Sequence, residues 1–373
     1  MGFLRKLKKL HMLAAAIGLL IVIPVVVLIF NFSKDFEEPH EKIGFIITGN
    51  IHAPGWNGSH YDGIKKACEN FGVELLVRDS VKENSGQCTD AIHELIKEGA
   101  GMIFLASYDY PREAQNIIAA YPNIAFATIS AEVHVRNLAS YFVRMYQARY
   151  ISGALAGMKT ETNVIGYVAA MENTEVNRGI NAFTLGVRRV NPSAKIVVMW
   201  TGDWKDEKTE MEHAERLIKE AGADVITYHQ NEDAAGIVAE RLGVDFIGYN
   251  AILNGYSEHY LTSVICRWDL YYSDIIQRYL KGEINSVKNH WLGIEKSSSS
   301  SVVTLSTYSK VVSPEIVAQL SVMEQELLNN RLIFSGEIYD NQGNLRCRAG
   351  EAISDNTLLE DMNWLVEGVE VLE

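Results

Sequence analysis

The pentapeptide Ile43-Gly44-Phe45-Ile46-Ile47 has a counterpart, Ile165-Gly166-Tyr167-Val168-Ala169, 122 residues later (165 − 43). Each is an apolar run of strand length that opens into a polar loop and then into residues at helical spacing. Thr48-Gly49-Asn50 and a loop with Pro54, Gly55 and Trp56 follow the first, leading to Tyr61, Ile64, Cys68 and Phe71. Met171 to Glu175 follow the second, leading to Ile180, Phe183, Val187 and Val190. Ser59-x-x-Asp62 reads as a capping box at the start of the first helix. A strand is expected after each helix, over 73–78 and 194–200. Two such α/β units in one chain point to two lobes, each with its own parallel sheet.

The rest of the chain keeps this rhythm. Strands are expected at 43–48, 73–78, 101–106, 124–129 and 138–143, with helices at 59–71, 87–98 and 112–121. A second series runs through helix 146–158, strand 164–169, helix 175–190, strand 195–200, helix 207–221, strand 223–228, helix 234–242 and strand 244–249. Strand 261–266, helix 270–281, a serine run at 297–301 and helix 314–330 come after it. Asp340-Asn341-Gln342-Gly343-Asn344 is a turn signal, and Leu358, Leu359, Met362, Trp364 and Leu365 are packing residues of an acidic tail.

Residues 1–33 differ in kind. Arg5, Lys6, Lys8 and Lys9 precede an apolar run from Met12 to Phe30, and Asp35, Glu37 and Glu38 follow it. As a helix the run rises about 28 Å, close to the thickness of a bilayer core. The basic flank keeps the N-terminus in the cytoplasm and exports the remainder. A cleaved signal peptide is the alternative, but Asn31-Phe32-Ser33-Lys34 offers no small-x-small cleavage site, so an uncleaved anchor is expected. Four of the 34 basic residues lie in that segment, so the remainder carries 30 against 47 acidic residues, a formal charge of −17. Such a surface disfavours nucleic acid and anionic lipid as partners. Cys68, Cys88, Cys266 and Cys347 have no metal-ligand spacing; Cys68 and Cys88 fall on consecutive helices and could meet, but read rather as two buried free thiols.

Gly-x-Gly-x-x-Gly, Walker A, Gly-x-Ser-x-Gly and His-Glu-x-x-His are all absent from the sequence. Glu172, Glu175, Glu232 and Asp233 fall on strand-to-helix loops and read as solvated charges or hydrogen-bonding groups rather than a catalytic pair. No enzyme, metal or cofactor is expected. Aromatic and amide residues instead gather at strand ends: Trp56 and Asn57, Tyr108, Met171, Trp204, His229 and Asn231, Tyr249 and Asn250, Arg267 and Trp268. In open parallel sheets these ends face one crevice. Flat rings with amide groups suit a planar, nitrogen-rich ligand held between stacked rings. Trp56 reads equally as a ligand contact or as a packing anchor of its loop.

Several stretches stand out together: Gly55-Trp56-x-x-x-His60, Tyr141-Phe142-x-Arg144-x-Tyr146-x-x-Arg149-Tyr150 and Ile165 to Ala170. Arg178-Gly179-Ile180-Asn181-Ala182-Phe183-Thr184-Leu185-Gly186 with Val190-Asn191-Pro192, Gln342-Gly343-Asn344-x-Arg346, Ala349-Gly350-Glu351 and Trp364-Leu365-Val366-Glu367-Gly368 complete the set. In these stretches the chain resembles the basic membrane protein family of substrate-binding proteins for ABC importers. The resemblance covers residues 42–373 and implies a type I periplasmic-binding fold that encloses a purine nucleoside or nucleobase. It places Trp56, Trp204, His229 and Tyr249 on the ligand. Met171 stands where relatives often have Phe. Asn231 and Ile252 replace Asp, and Arg267 replaces an Asn beside the retained Trp268. The lipobox cysteine of the family is missing.

The expected architecture is therefore α/β and two-lobed, with an N-terminal transmembrane helix. Residues 1–33 form a cytoplasmic stub and anchor. The first lobe spans 40–142 with a return segment at about 260–295, and the second spans 143–259 with part of 296–335. Residues 336–373 form a tail packed on the lobes. The expected function is binding of a planar heteroaromatic solute, a purine above all, for an ABC permease in the membrane, by a monomer. A membrane-anchored sensing or interaction module on the same fold is the alternative, since the chain has no ATPase motif of its own.

Overall fold

The computed structural model describes residues 42–53, 55–129, 133, 135–250, 258–284, 290–294 and 300–373. The expected anchor at 12–30, Ile252 and most of the serine run lie outside the described residues. Among the described residues no helix is long and apolar enough to cross a membrane.

The repeated pentapeptides open two separate sheets. The first contains β1 (Lys42–Ile46), β2 (Glu74–Arg78), β3 (Met102–Leu105), β4 (Ala125–Thr128) and β5 (Leu138–Val143). The second contains β6 (Val164–Ala169), β7 (Lys195–Trp200), β8 (Val225–His229), β9 (Asp245–Tyr249) and β10 (Tyr260–Cys266). Three later strands, β11 (His290–Leu292), β12 (Val303–Leu305) and β15 (Val369–Val371), extend them, and β13 (Ile338–Tyr339) pairs with β14 (Leu345–Cys347) in a hairpin of the tail. The order is β11-β5-β4-β3-β1-β2 in the first sheet and β12-β10-β9-β8-β6-β7-β15 in the second. All pairings in the two sheets are parallel except that of β12 with β10.

One physical reason explains the glycine shared by the two pentapeptides. A Cβ on Gly44 would lie 2.9 Å from Leu95 on the covering helix Gln87–Lys97 and 3.0 Å from Ile103 on β3. A Cβ on Gly166 would lie 2.5 Å from Ile226 on β8 and 3.0 Å from Leu217 on helix Glu207–Lys219. In each sheet the strand gives up its side chain so that a leucine from the cover can seat. β3 and β4 are buried along their whole length, as expected for parallel strands covered on both faces.

Two expectations are corrected. The segment over 260–295 does not return to the first lobe as a unit. β10 pairs with β9 in the second sheet, while helix Trp268–Leu280 packs on helix Trp56–Phe71 of the first lobe and β11 pairs with β5. The chain therefore passes between lobes after β5, after β10 and after β11, and register with β9 decides the place of β10. The capping box also fails. The helix begins at Trp56, with Gly55 at its cap (φ 81°) and no side-chain cap, and the Ser59 hydroxyl donates to the Trp56 carbonyl inside the first turn.

The tail completes the second lobe. β15 lies parallel to β7 at the sheet edge. Buried Asn181 donates to the Trp364 carbonyl at 2.9 Å and accepts from the Val366 N–H at 2.8 Å, so one amide satisfies two main-chain groups. Buried Arg178 donates to the Leu358 carbonyl at 2.5 Å. The predicted turn is closed by Asp340. Its burial would raise the carboxyl, but hydrogen bonds from Asn344, Arg346 and Gln342 hold it down at about 2.

Candidate functional site

A cavity of about 600 Å³ lies between the lobes, and the carboxyl ends of nine parallel strands reach it. Thr48 and Gly49 come from the end of β1, Lys82, Glu83 and Asn84 follow β2, Ser107 and Tyr108 follow β3, Ile129 follows β4 and Phe142 belongs to β5. From the second lobe, Glu175 follows β6, Asp203, Trp204 and Lys205 follow β7, His229 and Asn231 mark the end of β8, and Tyr249 ends β9. Trp56 and Asn57, at the start of helix Trp56–Phe71, complete the wall.

Seven of the residues expected from the sequence thus meet in one place: Trp56, Asn57, Tyr108, Trp204, His229, Asn231 and Tyr249. Trp56 is both anchor and wall. Its indole N–H donates to the Ala106 carbonyl at 3.2 Å, and one side of the ring rests on His60, with centroids 4.1 Å apart. What remains for a ligand is ring surface. Asn57 uses its side-chain oxygen to accept the Gly49 N–H at 3.1 Å, which ties the loop after β1 to the helix. On the other lobe Trp204, His229 and Tyr249 form a run of rings, with His229 5.9 Å from Trp204 and 4.5 Å from Tyr249.

Four expected residues do not line the cavity. Met171 is carried to the surface, because main-chain bonds from Thr201 to Ala169 and from Gly202 to Ala170 continue the pairing past the strand ends. Asn250 is buried beyond Tyr249 with a left-handed backbone (φ 57°). Arg267 caps helix Trp268–Leu280, and its N–H donates to the Val302 carbonyl at one of the crossings. Trp268 is a packing residue. It stacks on His60 with centroids 3.7 Å apart, and a Cβ on Gly63 would meet its own Cβ at 2.4 Å. The strand-end rule identifies positions along the chain. It does not say which residue of a loop turns inward.

Sequence reasoning passed over Lys82, Glu83, Asn84, Phe142, Asp203 and Lys205, and left Glu175 between a solvated charge and a ligand hydrogen bond; the structure places it on the cavity wall. The signal was present: Lys82-Glu83-Asn84 is a polar run after a parallel strand, like the aromatic loops that were singled out.

The electrostatics of the walls differ. His229 is buried and its burial holds the imidazole below its usual range, although Glu175 lies 3.7 Å from Nε2. It is neutral at pH 7. Behind it the fully buried Arg149 guanidinium donates to the Tyr228 carbonyl at 2.7 Å and lies 4.1 Å from the centre of the Tyr249 ring. That cation fixes the Tyr249 plate from the rear. On the first lobe, burial pushes the Glu83 carboxyl up, while bonds from Ser107 and the Asp109 N–H oppose that rise.

The lobes touch beside the cavity. A Cβ built on Gly55 would lie 2.1 Å from the carbonyl oxygen of Asn231, so the Gly55 α-hydrogen points at that oxygen. Among the described residues no cluster of His, Cys, Asp and Glu could hold a metal ion. The four cysteines are free and buried, and burial raises the Cys68 thiol to about 12.

The chain matches the Bmp family, described as ABC transporter substrate-binding protein PnrA-like, over residues 40–342. It belongs to that family. It is 29% identical over 338 residues to the purine-binding protein BAB2_0673 of Brucella abortus, covering 89% of this chain and 94% of the relative. It is 31% identical over 329 residues to the putative ABC transporter glucose-binding protein TsgA13 of Haloferax volcanii, covering 87% of this chain and 79% of the relative. It is similar in fold to a transcriptional activator of the comK gene from Bacillus halodurans, with a TM-score of 0.66 and 22% identity over 77% of this chain and 97% of that one. An ABC transporter solute-binding protein from Conexibacter woesei gives a TM-score of 0.63 and 17% identity, with 78% and 97% covered. The fold is thus the two-lobed periplasmic-binding type, and the family is one of solute binders rather than enzymes.

Proposed function

We propose that the protein is an extracytoplasmic solute receptor that encloses a planar heteroaromatic ligand, a purine base or nucleoside, and hands it to an ABC permease. The observation that carries this is the aromatic character of both walls of one interlobe cavity: Trp56, Tyr108 and Phe142 on one side, Trp204, His229 and Tyr249 on the other. A volume of about 600 Å³ is in the range of small-molecule sites. Ring faces on opposing walls suit a ligand with two π faces, and neutral His229 and Asn231 offer hydrogen bonds to its edge. The name of the Brucella relative agrees with a purine, and that of the Haloferax relative names glucose.

Transport would rest on closure. Binding energy drawn from both walls stabilises the form in which Gly55 meets Asn231, and the permease recognises that form. Residues 12–30 would hold the receptor at the membrane as a single-pass anchor, with the lobes outside. The chain would act as a monomer, without cofactor or enzymatic step. A membrane-anchored sensing or interaction module on the same fold is the second reading. Titration of the purified chain with adenine, guanine, adenosine, guanosine, glucose and amino acids tests the ligand class. Tight binding of a purine supports the proposal, and binding of glucose or an amino acid alone refutes it.

A further inference from the structure

Glu83 has a geometry that the aromatic walls do not explain. It belongs to the loop after β2 and lines the cavity from the first lobe. One carboxylate oxygen, Oε1, accepts both from the Ser107 hydroxyl and from the Asp109 N–H, the latter at 2.9 Å. The loop after β3 therefore holds the carboxylate at a fixed angle. The other oxygen, Oε2, accepts no hydrogen bond from the described residues. Glu83 is half-buried and lines the cavity, so this second oxygen stays open to solvent and can exchange a water for a donor on the ligand.

The surroundings fit an acceptor meant for a ligand. Burial already raises the Glu83 carboxyl, and Asp109 and Glu113 add to that rise. The neighbouring Lys82 also lines the cavity but is exposed, and no ion pair joins it to Glu83 among the described residues. A partly desolvated carboxylate without a cationic partner is costly in the empty receptor, and a ligand N–H or O–H would offset that cost.

We infer that Glu83 is a specificity-determining residue of the cleft, which accepts a hydrogen bond from a donor group on the ligand's edge, a ring amine or a sugar hydroxyl. The inference rests on the cleft being the ligand site. It assigns to the first lobe an edge-reading role in addition to the ring surface of Trp56.

Glu83→Gln tests it in the full chain. The glutamine oxygen can keep the bonds from Ser107 and Asp109, which turns an amide N–H₂ towards the ligand in place of Oε2. Affinities of wild type and variant are measured by calorimetry for adenosine against purine riboside, which lacks the amine, and for adenosine against 2′,3′-dideoxyadenosine, which lacks the 2′- and 3′-hydroxyls. The wild type is expected to favour the donor-bearing member of one pair by about ten- to hundredfold, and E83Q to bring that ratio close to one. The pair that changes tells amine from hydroxyl. Equal losses for every probe, or none, would overturn the assignment. A wild type that binds glucose and no purine would overturn the purine reading instead, and a tenfold loss for glucose in E83Q would then still support Glu83. If E83Q does not fold by circular dichroism, equal wild-type affinity within both pairs overturns the assignment.

Discussion

Gly55→Ala should uncouple ligand affinity from the ligand contacts themselves. The added Cβ would stand 2.1 Å from the Asn231 carbonyl oxygen, and real Cβ atoms do not approach closer than 3.0 Å. Main chain opposes main chain, so no side-chain rotation relieves it, and the lobes must part by about 1 Å or more. The backbone at Gly55 (φ 81°, ψ −139°) is a glycine conformation that costs another residue about 1–3 kcal/mol. That cost appears in the stability of the unliganded protein. The loss of closure appears in affinity. A ligand stacked by only one wall forfeits about 1–3 kcal/mol, the range measured for stacking a base on an aromatic ring. Affinity should therefore fall by roughly 5- to 150-fold, with every ligand-facing side chain intact. Calorimetry gives the affinity, and small-angle scattering with and without ligand gives the closure. Wild-type affinity together with a wild-type decrease in radius of gyration would refute the reasoning. Asn231→Ala in the G55A background should not restore binding, because the carbonyl remains.

Further outcomes follow from the same contacts. Trp56→Ala should lower affinity for a purine by one to two decades, roughly 1–3 kcal/mol, with the loss read by calorimetry. Asn181→Leu leaves the Trp364 carbonyl and the Val366 N–H without their partner and should cost about 2–6 kcal/mol in urea unfolding, since each buried unsatisfied group costs about 1–3. His60 and His229 are buried and held below the usual imidazole range, so the unfolded chain takes up protons that the folded chain refuses. Their contribution is full above about pH 6.5 and is lost as pH falls from there towards the folded values, at up to about 1.4 kcal/mol per pH unit for each. Unfolding free energies at pH 7.5, 6.5 and 5.5 should fall in that order, and His229→Gln should shallow the slope.

Much of the fold was legible because it depends on local pattern. The apolar runs at 43 and 165 and their polar loops occur where periodicity places them, and a helix follows each. Short strands were not legible: β11, β12 and β15 span three residues each and owe their conformation to the sheet edge they join. β10 was recognised as a strand but given to the wrong lobe, since nothing in its own residues records its partner. The helix at Trp56 began early because Gly55 turns the chain through a positive φ, a tertiary requirement of its approach to Asn231. At the site, aromatic and amide residues at strand ends identified seven wall positions. Trp268 misled because a tryptophan packed on His60 and one facing a ligand look alike in sequence. Glu83 was passed over and Glu175 was left between a solvated charge and a ligand hydrogen bond, because a charge on a loop is usually solvated and only the fold shows both on one cavity.

The most direct test of the account is the occupancy of the interlobe cavity. Crystals of the protein grown with adenosine or guanine should show the ring between Trp56 and the Trp204–His229–Tyr249 wall, with Gly55 against the Asn231 carbonyl. A purine bound elsewhere, or a cavity that takes up glucose and rejects every purine, would contradict it.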